Sequence, residues 1–480
     1  MSAKGTLVVA AVAIAAAGAG AYVVKHSRDR GAEQAIAQAV PQRPNLASWP
    51  QEMVRLVSTC EDICRGGTKA ERVEALTKLA DLYHANGFLP EAIQAYRGLI
   101  AAEPDNARWL HRVASIYDSY GNLEEAVKLW RAASDKAPDY LPVRIHLADA
   151  LVKLRQPAEA QTQYESVLKN DDANAYAQLG LARIDLENGR KNEARERLER
   201  ITQSKNNLLG ADLLVAVYDQ LGMTREADQM RSQTRLAAGY TNIPDPWIDD
   251  MYDACFDPYR LLLLGSAADF AGKPDKAREY LEKAVRIAPN YAMAEFQLAT
   301  HYDRSGNLTT ALEHAKKSIA LAQDFSDGWL EMISLYRRTG DDVTADRLLT
   351  EALSRAPNSP ALHMEHGRRL AKAGNVADAI EQFRIATKLR PEEAEAHVEI
   401  AKLFLASDRV SEGVAELEAA LRAEPGYPLA ISALTLHWIM SGDQVKASAM
   451  FKKVEHQPRI PENERARLAQ AFRDRFGQSP

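Results

Sequence analysis

Prolines spaced by 34 residues, each closing an alanine-rich stretch, constrain this chain of 480 residues more than any other feature. They stand at Pro104 and Pro138, and again at Pro289, Pro357, Pro391 and Pro425; the intervals are 34, then after a gap 68, 34 and 34. Proline lacks an N–H donor and disfavours helical backbone in the residue before it, so each one stops a helix and lets another begin. A single core rarely serves a chain this long, but a fixed period lets the core grow along one axis. Composition agrees with helix: Ala, Leu, Glu, Arg and Lys are abundant, aromatics are 7%, and no long alternation of Val, Ile and Thr occurs.

Other positions keep the same frame. In 73–106 they are Leu79, Ala80, Tyr83, Gly87, Ala92, Tyr96 and Pro104; in 107–140, Val113, Ala114, Tyr117, Gly121, Ala126, Trp130 and Pro138. In 326–359 they are Trp329, Tyr336, Gly340, Ala345, Leu349 and Pro357; in 360–393, His366, Gly367, Leu370, Gly374, Ala379, Phe383 and Pro391. One turn recurs as Gly-Asn-Leu at 121–123 and 306–308 and as Gly-Asn-Val at 374–376. Small residues let two helices approach, the aromatic fills the space between neighbours, and the turn glycine takes a backbone angle other residues resist. On these residues the chain resembles the tetratricopeptide repeat family.

The resemblance implies an all-α fold: a right-handed α-solenoid of about eleven helix pairs in two blocks, preceded by an N-terminal apolar helix. The expected organisation is a membrane anchor or signal segment at 1–30, a tether and leading helix at 31–70, a first block at 71–238 and an interruption at 239–257. A second block at 258–460 and a polar capping helix with its tail at 461–480 follow. Weaker copies fill the blocks; in 394–427, Asp408 and Gly413 stand where Gly and Ala are expected.

Thr6 to Val24 is a run of nineteen uncharged, mostly apolar residues, with Lys4 before it and Lys25, Arg28 and Arg30 after it. As a helix it would span roughly 28 Å, about the hydrocarbon thickness of a bilayer. The run is mostly Ala and Gly, which leaves a single-pass anchor or a cleaved signal peptide ending near Ala19-Gly20-Ala21; a buried soluble helix is the bland alternative. The flanking charges orient it poorly, and the solenoid is expected outside the cytoplasm.

The interruption reads GYTNIPDPWIDDMYDACFD, with Asp245, Asp249, Asp250, Asp253 and Asp257 among Trp247, Tyr252 and Phe256. In one reading its aromatics plug the seam between blocks and its carboxylates face water. In the other it lies on the concave face and shapes a ligand groove, or meets a basic partner. The aspartate spacing does not fit a calcium loop.

Chemistry-bearing patterns are sparse. Three cysteines, Cys60, Cys64 and Cys255, are too few for a disulfide scaffold. Cys60 and Cys64 share a helix face and could form a strained disulfide or a redox pair; otherwise they are ordinary half-buried thiols, or one pairs with Cys255. His363 and His366 have a spacing that can place two ligands on one face, but His366 falls at a packing position, so no metal is expected. Phosphate loops, nucleophile elbows and zinc-protease motifs are absent, no stretch outside the repeats can hold a catalytic domain, and neither an enzyme nor a cofactor is expected. A net charge of −6 gives no basic face for nucleic acid.

In the family, the first helix of each unit lines the concave surface. The resemblance puts Arg108, His111, Ser115 and Asp118 there in the second unit, Met293, Phe296, Thr300 and Asp303 in the seventh, and Asp327, Leu330, Ser334 and Arg337 in the eighth. With Trp247 and Tyr252 of the interruption these are the candidate contacts for an extended peptide or a helix. Chaperone-binding members grip a terminal carboxylate with Lys and Asn where this chain has Thr77 and Asp81, which argues against that ligand. The implied function is a membrane-attached scaffold that recruits proteins for assembly, secretion or maturation of an envelope complex. The alternatives are a regulatory accessory subunit of a redox or envelope-modifying enzyme, and a carbohydrate- or lipid-binding solenoid. Oligomeric state is left open.

Overall fold

A computed structural model describes residues 31–203, 209–234, 243–457 and 459–480, and their regular structure is entirely helical. Eleven helix pairs follow one another in the described residues, from Lys69–Ala85 with Leu89–Ala102 to Pro428–Ser441 with Gln444–His456. Glu462–Phe476 follows the last pair, burying Leu468 and Phe472.

The pairs form because small and large positions alternate across them. Ala80, Ala114, Ala148 and Ala182 of four first helices are fully buried, as are Ala92, Ala126, Ala160 and Ala194 of their second helices. With only a methyl at each contact the backbones come close. Tyr96, Trp130, Tyr164 and Phe383 fill the remaining gaps and are among the largest fully buried side chains. At Gly367 even a methyl is too much: a Cβ there would lie 2.5 Å from the Phe383 ring. Two of the three recurring turn asparagines act as caps, while Asn375 makes no side-chain cap bond. Asn122 accepts from the Glu125 N–H and Asn307 from the Thr310 N–H, satisfying helix-start donors.

The turn before each second helix passes through left-handed backbone. Glycine supplies this at most units, but Asp408 (φ 60°) and Arg155 (φ 61°) adopt it as well. The fold therefore imposes that conformation even where the residue resists it.

The chain divides into two compact lobes. One comprises the described part of Met1–Leu209 with Thr241–Leu261; the other comprises Gly210–Tyr240 with Leu262–Pro480. The division thus falls at Gly210, within the first block as read from the period. One contact inside the second lobe shows why: Arg465 of the closing helix donates to both carboxylate oxygens of Asp228, at 3.0 and 3.1 Å, across 237 residues.

Residues read as a tether are partly folded. A helix over 31–39 buries Ile36 completely, and Gly98 of the first pair leaves room for Ala39. Arg43 then pairs with the buried Glu61, at 2.6 Å. This short apolar helix thus packs on the first unit. The apolar run at 6–24 and the helix expected there lie outside the described residues. Among the described residues no helix is long and apolar enough to cross a membrane.

Candidate functional site: a segment laid across three repeats

Leu141–Lys153 touches Ala175–Glu187 in the first lobe and Ala292–Arg304 touches Ser326–Arg338 in the second, so neighbouring first helices share one surface of each lobe. In the first lobe this surface is covered by the interruption. Its residues form a four-residue turn of helix, Pro246–Asp249, and a 3-10 turn, Asp250–Ala254. Two prolines and four aspartates leave this stretch few internal hydrogen bonds, so its conformation is set by what it touches.

It runs from the third unit back to the first. At one end the carboxylate of Asp245, only 3% exposed, receives three donors. Tyr140 donates its hydroxyl to Oδ1 at 2.6 Å, and Nε2 of His111 and of His146 lie 2.7 and 3.2 Å from Oδ2. The Trp247 ring stacks on Tyr140 at 3.6 Å and 9°, and its backbone N–H donates to the Tyr140 hydroxyl at 3.0 Å. The Trp247 carbonyl accepts from Nε of Arg112 at 2.7 Å. Over the second unit Asp250 meets Arg108 at 3.4 Å. At the far end Met251, Cys255 and Phe256 are buried, and Asn86 clamps the backbone by giving its amide N–H to the Ala254 carbonyl and accepting the Phe256 N–H. Arg260 then donates to the Ala85 carbonyl at 2.8 Å, a cation at a helix C-terminus.

The electrostatics follow from burial and partners. Burial alone would raise the Asp245 carboxyl, but the bonds from His111, His146 and Tyr140 outweigh it and hold it well below the ordinary carboxylate range. Burial pushes His111 down, against the pull of Asp245, so the imidazole is neutral at pH 7. Burial, helped by Arg112 and Arg260, takes His84 down to about 3.

His111, His146 and Asp245 bring three ligand-type atoms within 4.8 Å of one another, a grouping that could hold a metal ion. The tautomer of His111 argues against it. Trp130 gives its indole N–H to Nδ1 of His111 at 2.9 Å, and an indole N–H is only ever a donor. Nδ1 therefore carries the lone pair and Nε2 the proton, which goes to Asp245. A metal ligand needs the reverse, with the second ring nitrogen donating outward. The cluster is a hydrogen-bonded latch on Asp245.

The segment packs against the first helices of the first two units, and its key carboxylate is turned inward to histidines and tyrosine. Of the residues expected on that surface, the structure gathers Arg108, His111 and Trp247, with Tyr252 half-buried beside them. Asp118 stands apart, taking a hydrogen bond from Lys153 at 2.9 Å. In the second lobe Phe296 packs edge-on against Phe325, Asp303 pairs with Arg338, and Leu330 and Arg337 line one cavity in which Arg337 pairs with Glu365. Asp81, at the clamp position, binds Arg112 and Tyr96.

Arg112, Asn86, Tyr140 and His146 were not singled out beforehand. Their partners lie 99 to 170 residues away, beyond any repeat register. Cys60 and Cys64 are both buried with no disulfide between them, and burial pushes Cys60 up and Cys64 to about 11, the opposite of an activated thiol. His363 is tied to Gln382 and to the Pro357 carbonyl, both at 2.8 Å.

Models of the tetratricopeptide repeat match residues 77–140 and 364–428, 119–172 and 154–217, and 260–291. Tetratricopeptide repeats are therefore found over those stretches, in keeping with the helix pairs described above. No curated protein matches it. Among solved structures, yeast Tom70 is 16% identical, with 85% of this chain and 96% of that chain covered at a TM-score of 0.41. YrrB, described as a tetratricopeptide protein with an unusual peptide-binding site, is 18% identical over 37% of this chain and 91% of its own, at 0.28. PilW, a type IV pilus biogenesis factor, is 20% identical over 39% and 86%, at 0.33.

Proposed function

We propose that this chain is a scaffold that holds protein or peptide partners on the inner surface of its second lobe. We place it at a membrane through residues 6–24, with the repeats outside the cytoplasm, in the assembly, secretion or maturation of an envelope complex. The observation that carries the reading is an open cavity of about 410 Å³ among the first helices there, lined by Leu330, Ile333, Ser334, Arg337, Arg338 and Glu365. Its wall is apolar at Leu330 and Ile333, and its rim is set by the Arg337–Glu365 and Arg338–Asp303 pairs. An apolar anchor with fixed charges around it is what a peptide side chain needs for affinity and register.

A photoreactive residue in place of the exposed Ser334, in the full-length chain, tests this. A discrete cross-linked protein that disappears in the Leu330→Asp variant is the expected result. Absence of any cross-linked species, or one indifferent to that substitution, removes the reading. Membrane attachment has its own test: removal of residues 1–30 should move the chain from the pelleted membranes to the soluble fraction.

A further inference from the structure

We infer that the Asp245 pocket of the first lobe is a second peptide-recognition site, for segments with a carboxylate two residues before an aromatic ring, and that Asp245-Pro246-Trp247 is its resident, exchangeable occupant.

Three observations carry this. First, the receptor side is organised without the occupant. Trp130 fixes the His111 ring by a hydrogen bond and stacks on His146 at 5.5 Å and 13°. Asp81 and Tyr96 hold the Arg112 guanidinium, which also lies over the Trp109 ring at 5.8 Å. A pocket whose side chains are held from behind keeps its shape when its occupant leaves.

Second, the two ends of the segment are held by different forces. Met251, Cys255 and Phe256 are buried apolar anchors at the first unit. Pro246 is exposed and Trp247 half-exposed, so the Asp245–Trp247 end is held mainly by hydrogen bonds, with the Trp247 ring stacked on Tyr140, edge-on to His111 and packed only in part against the apolar core. Water replaces hydrogen bonds at small net cost, whereas buried apolar area resists exposure. The latch end can therefore lift while the far end stays seated.

Third, the resident fits incompletely. Arg112 is fully buried, yet its Nη2 has no acceptor. In a guanidinium, Nη2 and Nε face the same side, and here Nε already binds the Trp247 carbonyl. A partner offering one more oxygen beside that carbonyl fills a donor that the resident leaves bare, and gains on it for that reason.

The test uses the full chain and a fluorescein-labelled peptide with the sequence of residues 243–250, followed by anisotropy. In the wild type the resident competes, so apparent affinity is reduced by the fraction of time the pocket is open. The Asp245→Asn/Trp247→Ala chain should bind the peptide roughly tenfold or more tightly than wild type. The same peptide with Asn in place of its first Asp should bind neither. Equal binding to both chains, or no binding to a variant that keeps its helical circular dichroism, overturns the proposal. Should the variant unfold, wild type decides. A peptide with a photoreactive ring at the Trp247 position should cross-link within residues 107–146, and no cross-link there rejects the site.

Discussion

Asn86 and Phe256 are 170 residues apart in the chain and joined by a hydrogen bond of 2.5 Å from the Phe256 N–H to the Asn86 Oδ1. The same side chain donates to the Ala254 carbonyl at 2.9 Å and to the Leu82 carbonyl at 2.7 Å. One buried amide thus closes a helix end and seats the segment that crosses the first lobe.

Replacing that amide exposes the cost of the arrangement. Asn86→Ala leaves buried backbone groups unpaired and should lower the unfolding free energy of the first lobe by about 2–3 kcal/mol. Asn86→Asp, which keeps an acceptor but loses the donor, should also destabilise. Urea titration followed by circular dichroism measures both; a midpoint equal to wild type would contradict the clamp.

The first lobe should weaken in mild acid. His84 and His111 are neutral in the fold, with pKa values below that of the unfolded chain, about 6.5. Between the two values the unfolded chain binds more protons, so stability is full above about 6.5 and is lost as pH falls towards the folded values, about 3 for His84. The urea midpoint should hold steady from about pH 8 to 7 and fall below about 6.5. His84→Gln should flatten part of that slope.

Two turns carry strain that glycine would relieve. Asp408→Gly and Arg155→Gly replace side chains at φ near 60° and should each stabilise by about 1 kcal/mol. Thermal unfolding of the single variants checks this, and unchanged or lower midpoints would show that the side chains have compensating contacts.

The thiols should be inert in the folded state. With its pKa near 11, Cys64 is thiolate to about one part in a thousand at pH 8, and it is buried as well. Cys60 and Cys64 should react with an aromatic disulfide reagent only as urea unfolds the lobe. Fast reaction in buffer would restore a redox role to them.

How much of this was legible beforehand depends on range. The pairs, their boundaries within a few residues, the small and aromatic positions and the closing helix could all be read in advance. Each depends on neighbours within one 34-residue period, and Pro, Gly and Ala act on the local backbone whatever lies elsewhere. His111 and Trp247 could be named as candidates because the period places the first and the composition of the interruption marks the second. Arg112 and His146 could not, since a charged or aromatic residue on a helix face is ordinarily solvated.

The chain alone therefore determined that about eleven helix pairs would form and that one acidic, aromatic stretch would not join them. Tertiary structure decided where that stretch goes: Asp245 between two histidines and a tyrosine, Phe256 under Asn86, and Asp228 against Arg465. The period repeats the same local instruction and holds no information on which distant repeats a non-repeating segment will meet. That is settled by the few buried polar groups that must find partners once the stack has formed.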